Sequence, residues 1–212
     1  MRAVRTTVRR LAGRQTALAG GLRRWATRRG PQGVGEGDHP VPYAPAQAAT
    51  MYGLLFVSVV ETVALAVVIP WPAVHAVVLV LDLWGCCFLL ALHASCVVGP
   101  HVIGADGSLR LRYGALLDIR VPADRVASVR LERRFPGGRP AAVDGNGTAD
   151  IAVGGQTTVT VELTEPLRYT RIMGGHAEAR AFRFYADDPV SAVAALRASG
   201  GSRAGTVVTP GR

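Results

Sequence analysis

The chain has 212 residues and a formal net charge of +9, and every one of its 24 basic side chains is Arg. Residues 1–30 hold nine Arg and no acid, while the remainder balances fifteen Arg against fifteen Asp and Glu, so the charge marks a tail and excludes a uniformly basic nucleic-acid-binding domain. The three cysteines, Cys86, Cys87 and Cys96, sit together in one apolar stretch, which excludes a disulfide framework and gives no metal-ligand spacing.

The absence of Lys beside abundant Ala, Gly, Val and Arg suggests a GC-rich, bacterial genome. In residues 1–30, Val4, Val8, Leu11, Leu18, Leu22 and Trp25 recur at helical spacing, with Gln15 filling the gap and most Arg on the other side. That pattern predicts a basic amphipathic helix on an anionic membrane surface. Gly13, Gly20 and Gly21 weaken it, so the alternative is a disordered basic tail, or a start codon assigned too far upstream. A cleaved export signal lacks its apolar region here, and an organelle transit peptide fits the bacterial signature less well. Phosphate charge alone would let the tail bind nucleic acid, but Trp25 is its only aromatic and nothing supports base contact, so no nucleic-acid partner is expected. Residues 31–46 are rich in Gly and Pro and read as a linker.

Residues 47–98 carry the strongest signal. Two apolar stretches, 48–69 and 73–98, meet at Pro70-Trp71-Pro72, and each holds a single formal charge, Glu61 or Asp82. A hydrocarbon core of ~30 Å needs ~20 apolar residues at ~1.5 Å each, so a transmembrane helical hairpin is expected. Tyr43, Tyr52 and Trp71 fall where interfacial aromatics belong. Arg flanks both ends of the hairpin and is missing from its turn, which predicts a multi-pass protein of the plasma membrane with both termini cytoplasmic.

Glu61 and Asp82 are equidistant from the turn, ~15 Å along each helix, and so reach the same depth. His75, Asp82, Cys86 and His93 lie near one line of the second helix, and Thr50 and Ser58 lie on the Glu61 side of the first. An intramembrane seam of Glu61, Asp82, His75 and His93 could be a proton or ion path, or a polar lock between protomers. The plainer reading is helix packing within one hairpin.

Beyond Gly99-Pro100, seven short segments alternate apolar and polar residues: 101–105, 109–113, 116–122, 126–134, 157–165, 167–173 and 180–186. Period two with one apolar face predicts antiparallel strands. Turns are expected at Asp106-Gly107, Tyr113-Gly114 and Glu165-Pro166, and a long Gly-rich loop at 135–156. That loop matches no phosphate-cradling motif, and its Asn146-Gly147-Thr148 would be glycosylated only in a secretory eukaryotic setting. A closing helix is capped by Asp187 or Asp188, starts at Pro189 and stops at Gly200-Gly201; residues 201–212 read as a disordered tail. Arg110, Arg112 and Arg120 are the candidates for an anionic-ligand surface, although strand charges of this kind usually only face solvent. His101, His176, Ser95 and Cys96 show no nucleophile–base spacing, so no catalytic residue is assigned.

The order of a two-helix hairpin, seven strands and a last helix resembles bacterial membrane proteins with a pleckstrin-homology-like domain. The residues that carry it are GPHVIGADGSLRLRYG (99–114), DIRVPADRVASVRLE (118–132) and FRFYADDPVSAVAALR (182–197). It covers roughly 48–198 and rests on structural motifs, not catalytic ones. The resemblance implies an α+β membrane protein: a transmembrane hairpin, then a seven-stranded antiparallel PH-like β-barrel or sandwich over 99–200 with a C-terminal helix. The functional expectation is a membrane-anchored, non-enzymatic scaffold or interaction module that needs no cofactor or metal. Its partners would be the bilayer, an anionic lipid surface through residues 1–30, and a protein partner or a second copy. The alternative is an oligomeric proton- or ion-linked membrane protein using the intramembrane acids.

Overall fold

The structure, a computed structural model, describes residues 2–138, 141–172 and 174–199, with side chains from residue 13 onward apart from Arg14. The expected tail at 201–212 lies outside the described residues. The chain is α+β and divides into two compact units, one of 1–32, 43–100 and 112–116, the other of 33–42, 101–111 and 117–212.

The first unit is helical. Helix α1 (Arg2–Ala26) packs against α3, with Leu18 buried and Gly21 set close against Ser95. Helix α2 (Pro45–Val68) and helix α3 (Pro72–Val98) form an antiparallel hairpin. Both begin on Pro at the first turn, where the missing N–H costs nothing and the fixed φ is already helical. Pro45 therefore starts α2 a few residues ahead of the apolar stretch. Ile69 closes α2 in an extended conformation because Pro70 follows it and disfavours helical backbone.

At ~1.5 Å per residue the helices are ~36 and ~40 Å long. Both are long and apolar enough to cross a membrane, and none of the most apolar 18-residue stretch of either is buried in the protein. A core helix of a soluble protein would have that stretch covered. Burial on α3 is instead confined to its last two turns, from Ala91 to Val98.

The second unit holds two four-stranded sheets. One has the order β1 (His39–Val41), β2 (His101–Ile103), β3 (Leu109–Tyr113), β4 (Leu117–Val121). The other has the order β5 (Val126–Arg134), β7 (Thr157–Thr170), β8 (His176–Phe184), β6 (Thr148–Ile151). The last two residues of β3 group with the helical unit. Helix α4 (Pro189–Ser199) packs against strands of both sheets, with Ala192, Val193 and Leu196 buried. Of the two candidate caps, Asp188 accepts the Ser191 backbone N–H at 3.0 Å. Alternation fills the core: Leu109 and Leu111 from β3, Ile119 and Val121 from β4, Val159 and Val161 from β7, Phe182 and Phe184 from β8. Rings meet edge to face there, Tyr169 on Phe182 at 5.5 Å and His101 on Phe184 at 5.2 Å.

The described strands differ from the expected seven, and they form no closed barrel. His39–Val41, inside the Pro/Gly linker, pairs with β2, so sheet pairing reaches back across the hairpin. Thr148–Ile151, inside the expected loop, pairs in parallel with β8, so the unit is not wholly antiparallel. Segments 157–165 and 167–173 are largely one strand. Glu165-Pro166 makes no turn, because β7 carries Pro166 through a register shift between Glu162 and Leu167. The real reversal into β8 comes later, where Gly174 N–H donates to Arg171 O and Arg171 N–H to Gly175 O. The turns at Asp106-Gly107 and Tyr113-Gly114 do form, both glycines having positive φ.

Candidate functional site

The four polar residues of the hairpin do not form one seam. From Met51 onward the partly buried positions of α2 are Met51, Leu55, Ser58, Thr62 and Leu65, at 4-3-4-3 spacing, followed by the closing Ile69, and this stripe faces α3. Asp82 meets it. With His75 and Val78 of α3, Thr62 and Leu65 of α2 and the closing Ile69, it lines an interhelical cleft of about 10 Å³, room for one water. One carboxyl oxygen of Asp82 is buried there with no hydrogen-bond partner among the described residues. Thr62 is already engaged, donating to Ser58 O at 2.8 Å.

Glu61 sits one position outside this stripe and is exposed. Neighbours on its face are Leu54, Val57, Ala64 and Val68, all exposed. On an insertion scale an acid at the centre of a membrane helix costs about 2.5–3.5 kcal/mol. His93 is elsewhere again: it is buried near the end of α3, its ring edge-on to Tyr52 at 4.9 Å. Only His75 and Asp82 therefore share a site.

The three arginines do not converge either. Arg110 forks onto Asp118 through Nε at 2.7 Å and Nη2 at 2.6 Å, a bidentate cross-strand pair that uses its planar donors. Hydrogen bonding to Asp118 raises the Arg110 pKa above its ordinary value. Arg112 is buried and donates to Gln32 O. Arg120 is exposed on β4.

Sequence reasoning missed a polar joint in the helical unit. Tyr43, fully buried, donates its hydroxyl to Gly99 O at 3.2 Å and accepts the Gly114 N–H at 2.7 Å. Its ring lies parallel to Tyr113, centroids 6.3 Å apart, and Tyr113 donates to Gln47 Oε1 at 3.1 Å. Ser95 donates to Leu92 O and accepts the Ala115 N–H at 3.2 Å. Burial pushes the Tyr43 phenol well above its usual range and raises Tyr113 too. Gly114 is required twice over: its φ is +50°, and a Cβ there would come within 2.4 Å of Ser95 Oγ. The joint is a clasp, since the Tyr43 and Ser95 hydroxyls are spent on backbone groups and the Tyr113 hydroxyl on the Gln47 side chain. A helix ending on buried Ser-Cys beside a Tyr-x-Pro-x-Gln start was its only sequence signal.

In the sheet unit, Arg134, Phe135, Val143, Asp144, Asp150 and Arg183 line a surface cleft of about 470 Å³. Its charges are matched. Arg183 pairs with Asp150 at 3.3 Å and Asp144 at 3.6 Å, and Arg134 pairs with Glu132 at 2.6 Å. Arg134 and Thr160 hold the Glu132 carboxyl below its ordinary range, while burial raises Asp150 despite Arg183. Leu131 and Phe135 are exposed at the end of β5, an edge strand of its sheet. Nearer its start, Arg197 of α4 donates to Val129 O at 3.0 Å. Among the described residues no three His, Cys, Asp or Glu gather as a metal site. No protein-family model, curated protein or solved structure matches the chain.

Proposed function

We propose that the protein is a membrane-anchored, non-enzymatic interaction module in which the hairpin fixes a PH-like sheet domain at the cytoplasmic face of the plasma membrane. The observation that carries this reading is the bare apolar length of α2 and α3: two helices of spanning size whose most apolar stretches the protein leaves uncovered. The Arg distribution supports cytoplasmic termini. Two four-stranded sheets with a C-terminal helix against both are what support the PH-like assignment, beside the sequence resemblance. The exposed Leu131 and Phe135 at the β5 edge favour a protein partner there, since an edge strand with apolar side chains can take an added strand.

A photo-crosslinking side chain at Leu131 or Phe135 of the full-length protein in native membranes tests this. The expected result is a discrete adduct at these positions and none at the solvent-exposed Val190 of α4. Equal, diffuse labelling at all three positions would count against an interaction module. The second reading, a proton- or ion-linked oligomer, draws on Asp82 and His75 sharing the interhelical cleft. It requires proton flux in proteoliposomes that Asp82→Asn abolishes.

A further inference from the structure

We infer that the turn closing α1 binds the phosphate headgroup of an anionic phospholipid through Arg23, Arg28 and Arg29, beside the end of α3. This deepens the interaction reading above and rests on its membrane anchoring. Two contacts within the helical unit place the turn. Gly21 crosses α3 so closely that a Cβ on it would lie 3.1 Å from Ser95 Cβ and 3.2 Å from Ser95 Cα. Farther along, the Gln32 N–H donates to Val98 O at 2.7 Å. Arg23, Arg24, Arg28 and Arg29 all lie between these two contacts, so all four are held near the last turn of α3. There a spanning α3 leaves the hydrocarbon and meets the headgroup layer.

The fold engages one of the four arginines and leaves three. Arg24 is half-buried and donates from Nε to Gly30 O at 2.8 Å. Arg23, Arg28 and Arg29 are exposed, and among the described residues none of them makes an ion pair. The chain segments of the helical unit carry ten Arg and two acids, Glu61 and Asp82. Both acids stand ~24 Å of helix from the open end of the hairpin, too far to neutralise the turn. A guanidinium keeps its charge at any working pH, so the turn is a fixed cation.

Backbone geometry singles out Arg28. The Arg29 N–H donates to Arg24 O and the Arg28 N–H to Trp25 O, both at 3.0 Å, which is a Schellman closure of the helix. Its left-handed position usually falls to Gly, yet Arg28 occupies it at φ +50°. Glycine would serve the turn better, so the side chain there answers to something outside it. Trp25, half-buried in the same turn, is an aromatic of the kind that sits at headgroup depth. Guanidinium donors match phosphate oxygens in pairs, and a basic cluster beside a membrane helix selects lipid with net negative charge. Nucleic acid offers similar phosphates, but the lipid already surrounds this end of α3.

Native mass spectrometry of the full chain in detergent, with equimolar dioleoyl phosphatidylglycerol and dioleoyl phosphatidylcholine, tests the inference. The parent should retain phosphatidylglycerol preferentially. Arg28→Gly should lower that preference by about fivefold, the factor for one basic group at an anionic surface. It should not lower the thermal unfolding temperature, because glycine suits the left-handed position. Arg23→Gln, Arg28→Gly and Arg29→Gln together should lower the preference more than about tenfold. Arg120→Gln, at an exposed position of β4, should leave it unchanged. Equal retention of both lipids, full preference in the triple variant, equal loss in Arg120→Gln, or displacement of the lipid by inorganic phosphate or a short DNA duplex at the same concentration would each overturn the proposal. Release of the chain from native membranes by a carbonate wash would instead overturn the anchoring on which it rests.

Discussion

At the scale of single residues, the structure separates side chains that hold the fold from those the fold leaves available. Tyr43 belongs to the first kind, because one buried hydroxyl serves both Gly99 O and Gly114 N–H. Tyr43→Phe should destabilise the protein by about 1–3 kcal/mol, the penalty for stranding buried backbone groups, read as thermal unfolding of the full chain in detergent. The phenol's folded pKa is raised by burial, so its stabilisation is complete below the unfolded value near 10 and is lost as pH climbs through the higher folded value. The parent should therefore lose stability above about pH 10 more steeply than Tyr43→Phe. Glu132 has the opposite sign. Arg134 and Thr160 depress its folded pKa, so its contribution is present above the unfolded value and disappears as pH falls through the folded one. Glu132→Gln should cost under about 1 kcal/mol at pH 7, its ion pairs being partly exposed, and the gap from the parent should close in acid. Asp150, raised by burial, works against the trend and should shallow the acid limb without reversing it.

At the scale of elements, length and pattern decided what was legible. The apolar run of α2 and α3 with Pro at the turn announces two helices, and clean alternation in 109–113 and 117–121 announces β3 and β4. Strand β1 has three residues and β6 has four, too few for a period of two to show, and both sit among Gly and Pro that locally spell loop. Only pairing with distant strands makes them sheet. Strand β7 hid its continuity because a Pro inside it reads as a break unless a register shift accommodates it. In the hairpin, the equal distance of Glu61 and Asp82 from the turn is legible in the sequence but their facing is not: both helices are apolar all round, so no moment tells the packed side from the open side. The clasp at Tyr43 and Ser95 joins residues far apart in the chain, so the Tyr-x-Pro-x-Gln and Ser-Cys segments do not show in the sequence that they meet. One turn offers a direct test. Gly107 has φ +83°, and a Cβ there would lie 2.9 Å from Ser199 O of α4 and 3.2 Å from the Ala123 methyl. Gly107→Ala should cost on the order of 1–3 kcal/mol, through both backbone strain and displacement of the α4 end, measured by thermal unfolding against the parent.

At the scale of the molecule, the account rests on where the apolar surface goes. The sheet unit buries most of its large side chains in its own core, with Phe182 and Phe184 fully enclosed and Leu131, Phe135 and Val190 left exposed. The hairpin keeps its large side chains outside, from Leu54 and Phe56 on α2 to Leu83 and Trp84 on α3. In water that surface would drive aggregation, and in lipid it is solvated. A hairpin that crosses a bilayer has both of its ends on one side, and the proposed reading puts that side in the cytoplasm on the strength of the nine Arg ahead of it. The most direct measurement is protease accessibility of tags at Met1 and Arg212 in sealed, carbonate-washed vesicles of known orientation. The account predicts that the full chain stays with the membrane, with both tags cleaved in inside-out vesicles and both protected in right-side-out ones. Release of the chain into the wash, or tags on opposite sides, would contradict it.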